Sequence, residues 1–117
     1  MEIKNAKITD TFMGIEDHGI FTFLIDVDIP DCGHCSIGNY GLSWTTDGKP
    51  NGDPKGIEAI YYILRAIGVY SWEELIGKYI RVRIEGCGCG RTVTAIGNIL
   101  EDRWFNIKEF FTNSEVI

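Results

Sequence analysis

Four cysteines are the residues of this 117-residue chain whose spacing most directly suggests chemistry. They form two close pairs, a CGHC tetrapeptide at residues 32–35 and a CGC tripeptide at residues 87–89. A structural zinc ion binds four ligands in a tetrahedron, and a CxxC turn supplies two thiolates from one loop. We therefore predict a structural Zn²⁺ site, in which His34 could replace one sulfur, with the ligands Cys32, Cys35, Cys87 and Cys89. Four reduced or partly paired cysteines without metal are the alternative.

The CGHC tetrapeptide is also the active-site sequence of protein disulfide isomerases, which raises a redox interpretation. That chemistry lowers the pKa of the first thiol by placing it at the N-terminus of a helix, whereas the residues after Cys35 favour a strand. The tryptophan that normally precedes the motif is Asp31 here. We therefore do not expect an oxidoreductase, and the absence of a recognisable export signal argues against structural disulfides.

Arg81 and Arg83 form the second candidate site. Residues two apart in a strand project from the same face, so the two guanidinium groups are expected side by side, with Tyr79 beside them and Lys78 and Arg91 near the strand ends. Arginine binds phosphate oxygens through its planar fork of N–H donors. We therefore predict that Arg81 and Arg83 bind a phosphate or a nucleotide, with a solvated strand face as the alternative interpretation.

Glu16, Asp17 and His18 form a segment in which a carboxylate could orient an imidazole for catalysis. Neighbouring residues of a turn point apart, however, so a polar hairpin turn is the preferred interpretation. The glycine-alternating segment at 86–90 precedes a strand rather than a helix, which argues against a phosphate cradle. No dinucleotide-binding, P-loop, zinc-protease or serine-hydrolase motif occurs. We therefore predict a protein without catalytic activity.

A mainly antiparallel sheet must position these side chains. Alternating apolar residues predict strands over 4–12, 20–29, 36–46, 79–84 and 92–100, with a polar loop over 47–55. A helix is predicted between an Asp53 N-cap and a Gly68 stop, and its apolar positions recur at i, i+3, i+4 and i+7. These positions are Ile57, Ile60, Tyr61 and Leu64. Short helical turns are predicted at 71–74 and 106–111. The order predicts an α+β fold with about five strands and one amphipathic helix packed on the sheet.

The composition is that of an ordinary globular chain, with 44% hydrophobic and 24% charged residues. At this length we expect a single domain over residues 1–117. The net charge of −6 disfavours a general binder of nucleic acid or of anionic membranes and leaves open a basic protein partner. No apolar run reaches the ~18 residues that cross a membrane, and residues 1–10 lack the apolar segment of a signal peptide. We therefore expect a cytoplasmic protein.

Three stretches resemble a group of small, largely uncharacterised proteins encoded by phages and prophages. They are KITDTFMGIEDHGI at 7–20, GKYIRV at 77–82, and AIGNI at 95–99 with DRWF at 102–105. The resemblance covers about residues 3 to 111 and carries no catalytic motif. Members of the group have a glycine-rich segment in place of residues 32–35 and a plainer hairpin in place of residues 87–89. The resemblance therefore implies that a metal site belongs to one branch and is not the common function.

This resemblance implies a non-catalytic phage accessory protein that acts by binding, with counter-defence as its most concrete form. The protein would block a host defence protein, in the manner of an acidic anti-CRISPR inhibitor, or sequester a nucleotide signal. Its net charge fits the first version, whereas Arg81, Arg83 and a pocket formed by a homo-oligomer fit the second. The alternative function is a zinc-stapled structural or adaptor module in phage assembly or replication.

Overall fold

The computed structural model describes residues 2–15, 19–30, 32–86 and 92–112, with the backbone alone described at 39–41 and 43–46. The strands are β1 (Glu2–Ile15), β2 (Phe21–Ile29), β3 (Gly33–Thr46), β4 (Lys49–Gly52), β5 (Tyr79–Glu85), β6 (Thr92–Asn98) and β7 (Trp104–Phe105). The helices are α1 (Pro54–Ile67) and α2 (Ile107–Thr112), and a 3₁₀ turn covers Trp72–Leu75. The predicted α+β fold class is confirmed.

The strands form one seven-stranded sheet in the order β4-β3-β2-β1-β5-β6-β7, and every described strand pair is antiparallel. Two more strands are present than the predicted five, and the additional ones, β4 and β7, are short. The long strand β1 pairs with two partners, because residues 2–7 lie against β5 and residues 7–15 lie against β2. The two halves of the sheet therefore join at β1.

The hydrophobic core lies on one face of this sheet. Alternate residues of β2 are fully buried, as their spacing predicts, and so are alternate residues of β5. These residues are Phe23, Ile25, Val27, Ile29, Ile80, Val82 and Ile84. Helix α1 covers this face by packing against β3, β6 and β7. The prediction of one helix on one face of the sheet is therefore confirmed.

Gly38 of β3 lies where the backbones of two neighbouring strands come close together. Its φ is +120°, and a Cβ atom there would come within 2.6 Å of the Phe23 carbonyl oxygen. The register between β2 and β3 shifts on both sides of Thr22. Only glycine adopts this conformation at this distance without strain.

The ends of α1 follow the sequence prediction. The Asp53 carboxylate accepts a hydrogen bond of 3.0 Å from the Lys55 N–H, with Pro54 as the first helical residue. Gly68 ends the helix in the left-handed conformation, with φ of 92°, and its N–H donates to the Leu64 carbonyl at 2.8 Å. Both signals are local to the chain, which is why the sequence reveals them.

The buried face of α1 differs from the predicted one. Ile57 and Tyr61, from the predicted apolar stripe, are 62% and 60% exposed. The buried residues are instead Gly56, Ala59, Ile63, Ala66 and Ile67. Three of these are glycine or alanine, and small side chains let the helix backbone approach the sheet closely. Ile60 and Leu64 of the predicted stripe are partly buried and pack against the core, so only Ile57 and Tyr61 are left on the solvent side.

The predicted loop over 47–55 contains a hairpin instead. Asp47 and Gly48 have positive φ values of 53° and 77°, which suits a two-residue turn of the kind that closes antiparallel hairpins. Strand β4 then pairs with the end of β3. The prediction missed β4 because its sequence, KPNG, has no alternating or β-branched residues.

The short helical turns lie where they were predicted. Before the 3₁₀ turn, the Ser71 hydroxyl and the Tyr70 N–H both donate to Oε2 of Glu74, at 3.0 and 3.1 Å. The Asn106 side chain caps α2 by accepting a 2.9 Å hydrogen bond from the Glu109 N–H. Across the described ranges, no helix is both long enough and apolar enough to traverse a bilayer.

Candidate ligand-binding site

The face of the sheet opposite the core carries the predicted arginines. Tyr79, Arg81, Arg83 and Glu85 alternate with the buried residues of β5 and therefore point away from the core. The described helix α1 packs on the other side of the sheet, against its core face. This surface, which we call the outer face, presents Arg81 and Arg83 on one strand, as predicted.

Trp104 lies on the outer face next to both arginines. Gly97 of β6 pairs with Arg81 on one side and with Trp104 on the other, so the three residues form one row across the sheet. A Cβ atom on Gly97 would lie 2.7 Å from the indole ring, which means that the indole occupies the space above the glycine. The guanidinium carbons of Arg81 and Arg83 lie 5.0 and 4.9 Å from the ring centroid, at cation–π distance.

Arg81 also anchors the turn between β6 and β7. Its Nε donates to the Asn98 carbonyl at 2.7 Å, and its Nη2 donates to the Glu101 carbonyl at 2.8 Å. Two of its five N–H donors are therefore bound to backbone oxygens. Arg81 consequently positions the turn that leads to Trp104, in addition to presenting charge on the outer face.

Asn98 connects this turn to the core side of the molecule. Its Oδ1 accepts hydrogen bonds from the N–H groups of Leu100 and Glu101, both at 2.9 Å. Its Nδ2 donates to the carbonyl of Ile67, at the end of α1, also at 2.9 Å. Asn98 is only 8% exposed, so these bonds satisfy a buried amide. The turn that carries Trp104 is therefore held from both faces of the sheet.

Arg83 differs from Arg81 in its hydrogen bonding. Within the described ranges its guanidinium has no carboxylate or carbonyl partner, and it lies against the Trp104 ring. It is half-buried against the sheet. An arginine that keeps its N–H donors available beside an indole can bind an anion through a bidentate pair while the ring supports its aliphatic stem. Arg83 is therefore the stronger of the two candidates for ligand binding.

Other charged side chains around the site have partners. The ion pairs are Glu85 with Lys108 and Glu101 with Arg103, both at 3.4 Å, and the Lys7 ammonium lies 5.6 Å from the Tyr79 ring centroid. Such surface pairs contribute little to stability. They pair Glu85 and Glu101 with other cations, and the Asp102 carboxylate accepts a 3.1 Å hydrogen bond from the Trp104 indole N–H, so none of these three carboxylates forms an ion pair with Arg83.

The cysteine site is described only in part. Cys32 and Cys35 are half-buried and pack against the core, whereas Cys87 and Cys89 lie outside the described residues. His34 lies opposite Asp28 on the outer face, with 3.8 Å between Nδ1 and Oδ1, so it projects away from the side of the sheet that Cys35 occupies. Among the described residues, no three histidine, cysteine or acidic side chains cluster as a metal site. The zinc site remains a prediction.

The register constrains how the two cysteine pairs could meet. Because β2 and β5 both run antiparallel to β1, their final residues point to the same end of the sheet. Cys35 lies opposite Val27, which lies opposite Ile8, whereas Ile84 lies opposite Glu2. Six residues of β1 separate these levels, or about 20 Å at roughly 3.4 Å per residue. One site with all four sulfurs therefore requires the segment after β5 to reach back along the sheet.

Two further sequence predictions lie outside the described residues. These are the segment with Glu16, Asp17 and His18, and the Arg91 that was expected near the end of β5. Lys78 is exposed, as expected of a residue at the start of that strand. The absence of catalytic activity stays a prediction.

The sequence interpretation missed an exposed apolar surface at the C-terminal end of α1. Tyr70 is 96% exposed and lies near Tyr61, and the two tyrosines help to line a cavity of about 220 Å³. The other residues that line it are Leu64, Arg65 and Val69. The signal that could have revealed this surface is a second helical stripe, at Gly56, Ala59, Ile63 and Ala66, which competes with the predicted stripe for the core.

Comparison with known proteins gives no family for this chain. No protein-family model matches the sequence, and no curated protein matches it.

Proposed function

We propose that this chain is a non-catalytic phage accessory protein that sequesters a nucleotide signal of host defence in the cytoplasm of the infected cell. The phage context comes from the sequence resemblance, and the choice of a nucleotide rests on one observation. That observation is Arg83, whose guanidinium lies against Trp104 on the outer face and has no carboxylate partner among the described residues.

The chemistry of this pair suits a phosphate-bearing ligand. A guanidinium presents parallel N–H donors that match two phosphate oxygens, and such charge-assisted bonds are roughly twice as strong as neutral ones. An indole supplies a flat apolar surface on which a nucleobase stacks, worth about 1–3 kcal/mol per base. An overall charge of −6 keeps the remaining surface unattractive to nucleic acid, so a single small anion is the favoured ligand.

The test begins with native mass spectrometry of the purified protein, which reads retained small molecules and oligomer mass together. A panel of linear and cyclic nucleotides with one or more phosphate groups is then titrated by calorimetry. We expect Arg83→Ala to weaken binding by about tenfold or more, the equivalent of a lost charge-assisted hydrogen bond. Arg83→Lys keeps the charge but loses the planar fork of N–H donors, so its affinity should lie between those of the wild type and Arg83→Ala.

Arg65→Ala is the matched control, because Arg65 is an exposed arginine on α1 rather than on the sheet. It should bind nucleotides as the wild type does. If Arg83→Ala and Arg65→Ala lost the same affinity for nucleotides, the effect would be one of general electrostatics and not of a site at Arg83. Failure of every nucleotide in the panel to bind would reject the proposal.

A second candidate is inhibition of a basic host defence protein. It is favoured by Asp10 and Asp26, which lie directly opposite each other on β1 and β2, with Asp28 two residues further on. The Ser36 hydroxyl donates to Asp26 at 2.7 Å, but like charges facing across strands destabilise the pairing. A cationic partner surface would relieve this repulsion. Binding that weakens with salt and with Asp10→Asn, but not with Glu58→Gln on α1, would support it.

The third candidate is a zinc-stapled structural or adaptor module in phage assembly or replication. Its support is the half-buried position of Cys32 and Cys35 around the turn between β2 and β3. Metal bound there would tie this turn to a second segment and stabilise the fold.

A further inference from the structure

Strand β1 has an open edge along its first residues. Residues 2–7 pair with β5 on one side, but pairing with β2 on the other side begins only at Lys7, opposite Asp28. If β2 continued in this register, Pro30 would lie opposite Asn5. Proline has no N–H to donate, so it cannot extend the ladder in the usual way. Among the described residues, the edge of β1 beside Asn5 therefore has no strand partner.

The backbone groups that face this edge can be identified from Ile8. The Ile8 N–H donates to the Lys78 carbonyl at 2.9 Å, and the Ile8 carbonyl accepts from the Gly77 N–H at 2.8 Å, so Ile8 faces the β5 side. The N–H and C=O of one residue point to the same side of a strand, and consecutive residues alternate. Asn5 and Ile3 therefore direct their N–H and C=O groups toward the open edge.

A groove lies beside these groups. It has a volume of about 360 Å³, and it is lined by Asn5, Ala6, Lys7, Asp28, Pro30 and Tyr79. An unpaired edge of this kind can accept an extended segment, whose backbone supplies the missing hydrogen bonds. The groove thus lies at the end of β2, beside the unpaired backbone groups of β1.

The charges around the edge distinguish between two occupants. Lys4 and Lys7 lie on β1 itself, and Arg83 lies directly across from Ile3. A second copy of this chain, paired antiparallel about the centre of the edge, would place Lys4 against its own counterpart, and like charges in direct opposition are unfavourable. Glu2 and Asp28 also border the edge, but Lys4, Lys7, Arg81 and Arg83 outnumber them, so an acidic segment would be attracted here. The salt contact of Lys4 with Glu2, at 3.9 Å, is too long to neutralise it strongly.

We propose that the open edge of β1 binds an extended acidic segment of a partner protein, which adds a strand beside Ile3 and Asn5 in line with β2. The backbone groups give affinity, and Lys4 and Lys7 select acidic side chains on the two faces of the added strand. This site is distinct from the nucleotide site proposed above, because its hydrogen bonds come from the backbone of β1. Arg83, on the β5 side of β1, contributes only its charge.

The test uses proline to remove one edge donor. Asn5→Pro deletes an N–H that faces the open edge, so the protein should remain folded with a melting temperature near that of the wild type. Lys4→Pro deletes an N–H that faces β5 and should destabilise the protein strongly. A display library of short random peptides is then selected on the wild type. We expect the selected peptides to be acidic and to bind Asn5→Pro about tenfold or more weakly, as one lost hydrogen bond implies.

Asn5→Ala separates the backbone from the side chain, since it keeps the N–H and should bind the selected peptides normally. Nucleotide titration of Asn5→Pro should match the wild type, so failure here is distinguishable from failure of the nucleotide site. Selected peptides that are not acidic, or that bind Asn5→Pro unchanged, would overturn the proposal. A wild-type dimer that Asn5→Pro dissociates would also overturn it, by assigning the edge to a second copy.

Discussion

The indole of Trp104 lies directly over Gly97, so that a Cβ atom on the glycine would be 2.7 Å from the ring. Gly97 and Trp104 pair across β6 and β7, and the indole occupies the space that a side chain at residue 97 would fill. Because Arg81 and Arg83 both contact this indole, the geometry of the candidate site depends on a residue that contributes no functional group.

Gly97→Ala should therefore displace the indole. Overpacking of this kind costs about 1–3 kcal/mol, so the free energy of unfolding should fall by that amount. Denaturant titration measures the loss, and tryptophan fluorescence reports the change around Trp104. Gly52→Ala is the control, because a Cβ at Gly52 would meet no atom within 4 Å. Equal stability of both variants would contradict the packing of the Trp104 indole over Gly97.

Arg81 and Arg83 should separate stability from binding. Arg81→Ala removes two hydrogen bonds to the turn carbonyls of Asn98 and Glu101 and should reduce the free energy of unfolding by about 1–3 kcal/mol. Arg83→Ala removes no hydrogen bond within the described residues but loses the contact with the Trp104 ring, so the free energy of unfolding should fall by only about 0.5–1 kcal/mol. Thermal and denaturant unfolding measure the free energy of unfolding of the two variants under the same conditions. A larger stability loss in Arg83→Ala would reverse the roles assigned to the pair.

Two isoleucines test which face of α1 is buried. Ile63 is fully buried, and Ile57 is 62% exposed. Ile63→Ala should therefore cost about 2–5 kcal/mol of unfolding free energy, whereas the same change at Ile57 should stay within about 0.5 kcal/mol. Denaturant midpoints at a common slope provide the comparison. If Ile57→Ala proved the more destabilising, the stripe expected from the sequence would be the one that packs on the sheet.

The cysteine prediction is tested through metal content and stability together. If Cys32 is a zinc ligand, Cys32→Ser should lose the metal and lower the melting temperature in the same variant, because metal binding is coupled to folding. Native mass spectrometry of protein prepared without added zinc or chelator measures the metal. His34→Ala should retain it, since His34 projects from the opposite face to Cys35. Metal-free wild-type protein, or an unchanged melting temperature in Cys32→Ser, would reject a structural zinc.

Local features of the fold are predictable from the sequence. The Asp53 and Gly68 caps of α1 involve hydrogen bonds within a few residues, and the burial of alternate β2 residues follows from strand periodicity. The buried face of α1 is not predictable in this way. Gly56 and Ala59 lie against the sheet because their small side chains let the helix backbone come close to it. A strong apolar stripe at helical spacing does not reveal which competing stripe the sheet will accept.

The candidate site was predictable in its residues but not in their roles. Arg81 and Arg83 share a face because strand side chains alternate, and the sequence alone indicates this. The carbonyls that bind Arg81 belong to Asn98 and Glu101, which are 17 and 20 residues away in the chain. Such tertiary partners leave no local pattern. The distinction between an anchoring arginine and an available one therefore emerges only from the folded structure.

The strand order also constrains how this protein folds. Among the described strand pairs, β1 with β5 is the one that joins strands not consecutive in the chain, and Lys7 and Tyr79, which face each other there, are about seventy positions apart. The remaining pairs close short loops, so the two meanders on either side can form from nearby residues. The largest cost in loop-closure entropy therefore arises when β1 pairs with β5. Folding speed should depend chiefly on this seam, which also carries Ile3, Asn5, Arg81 and Arg83.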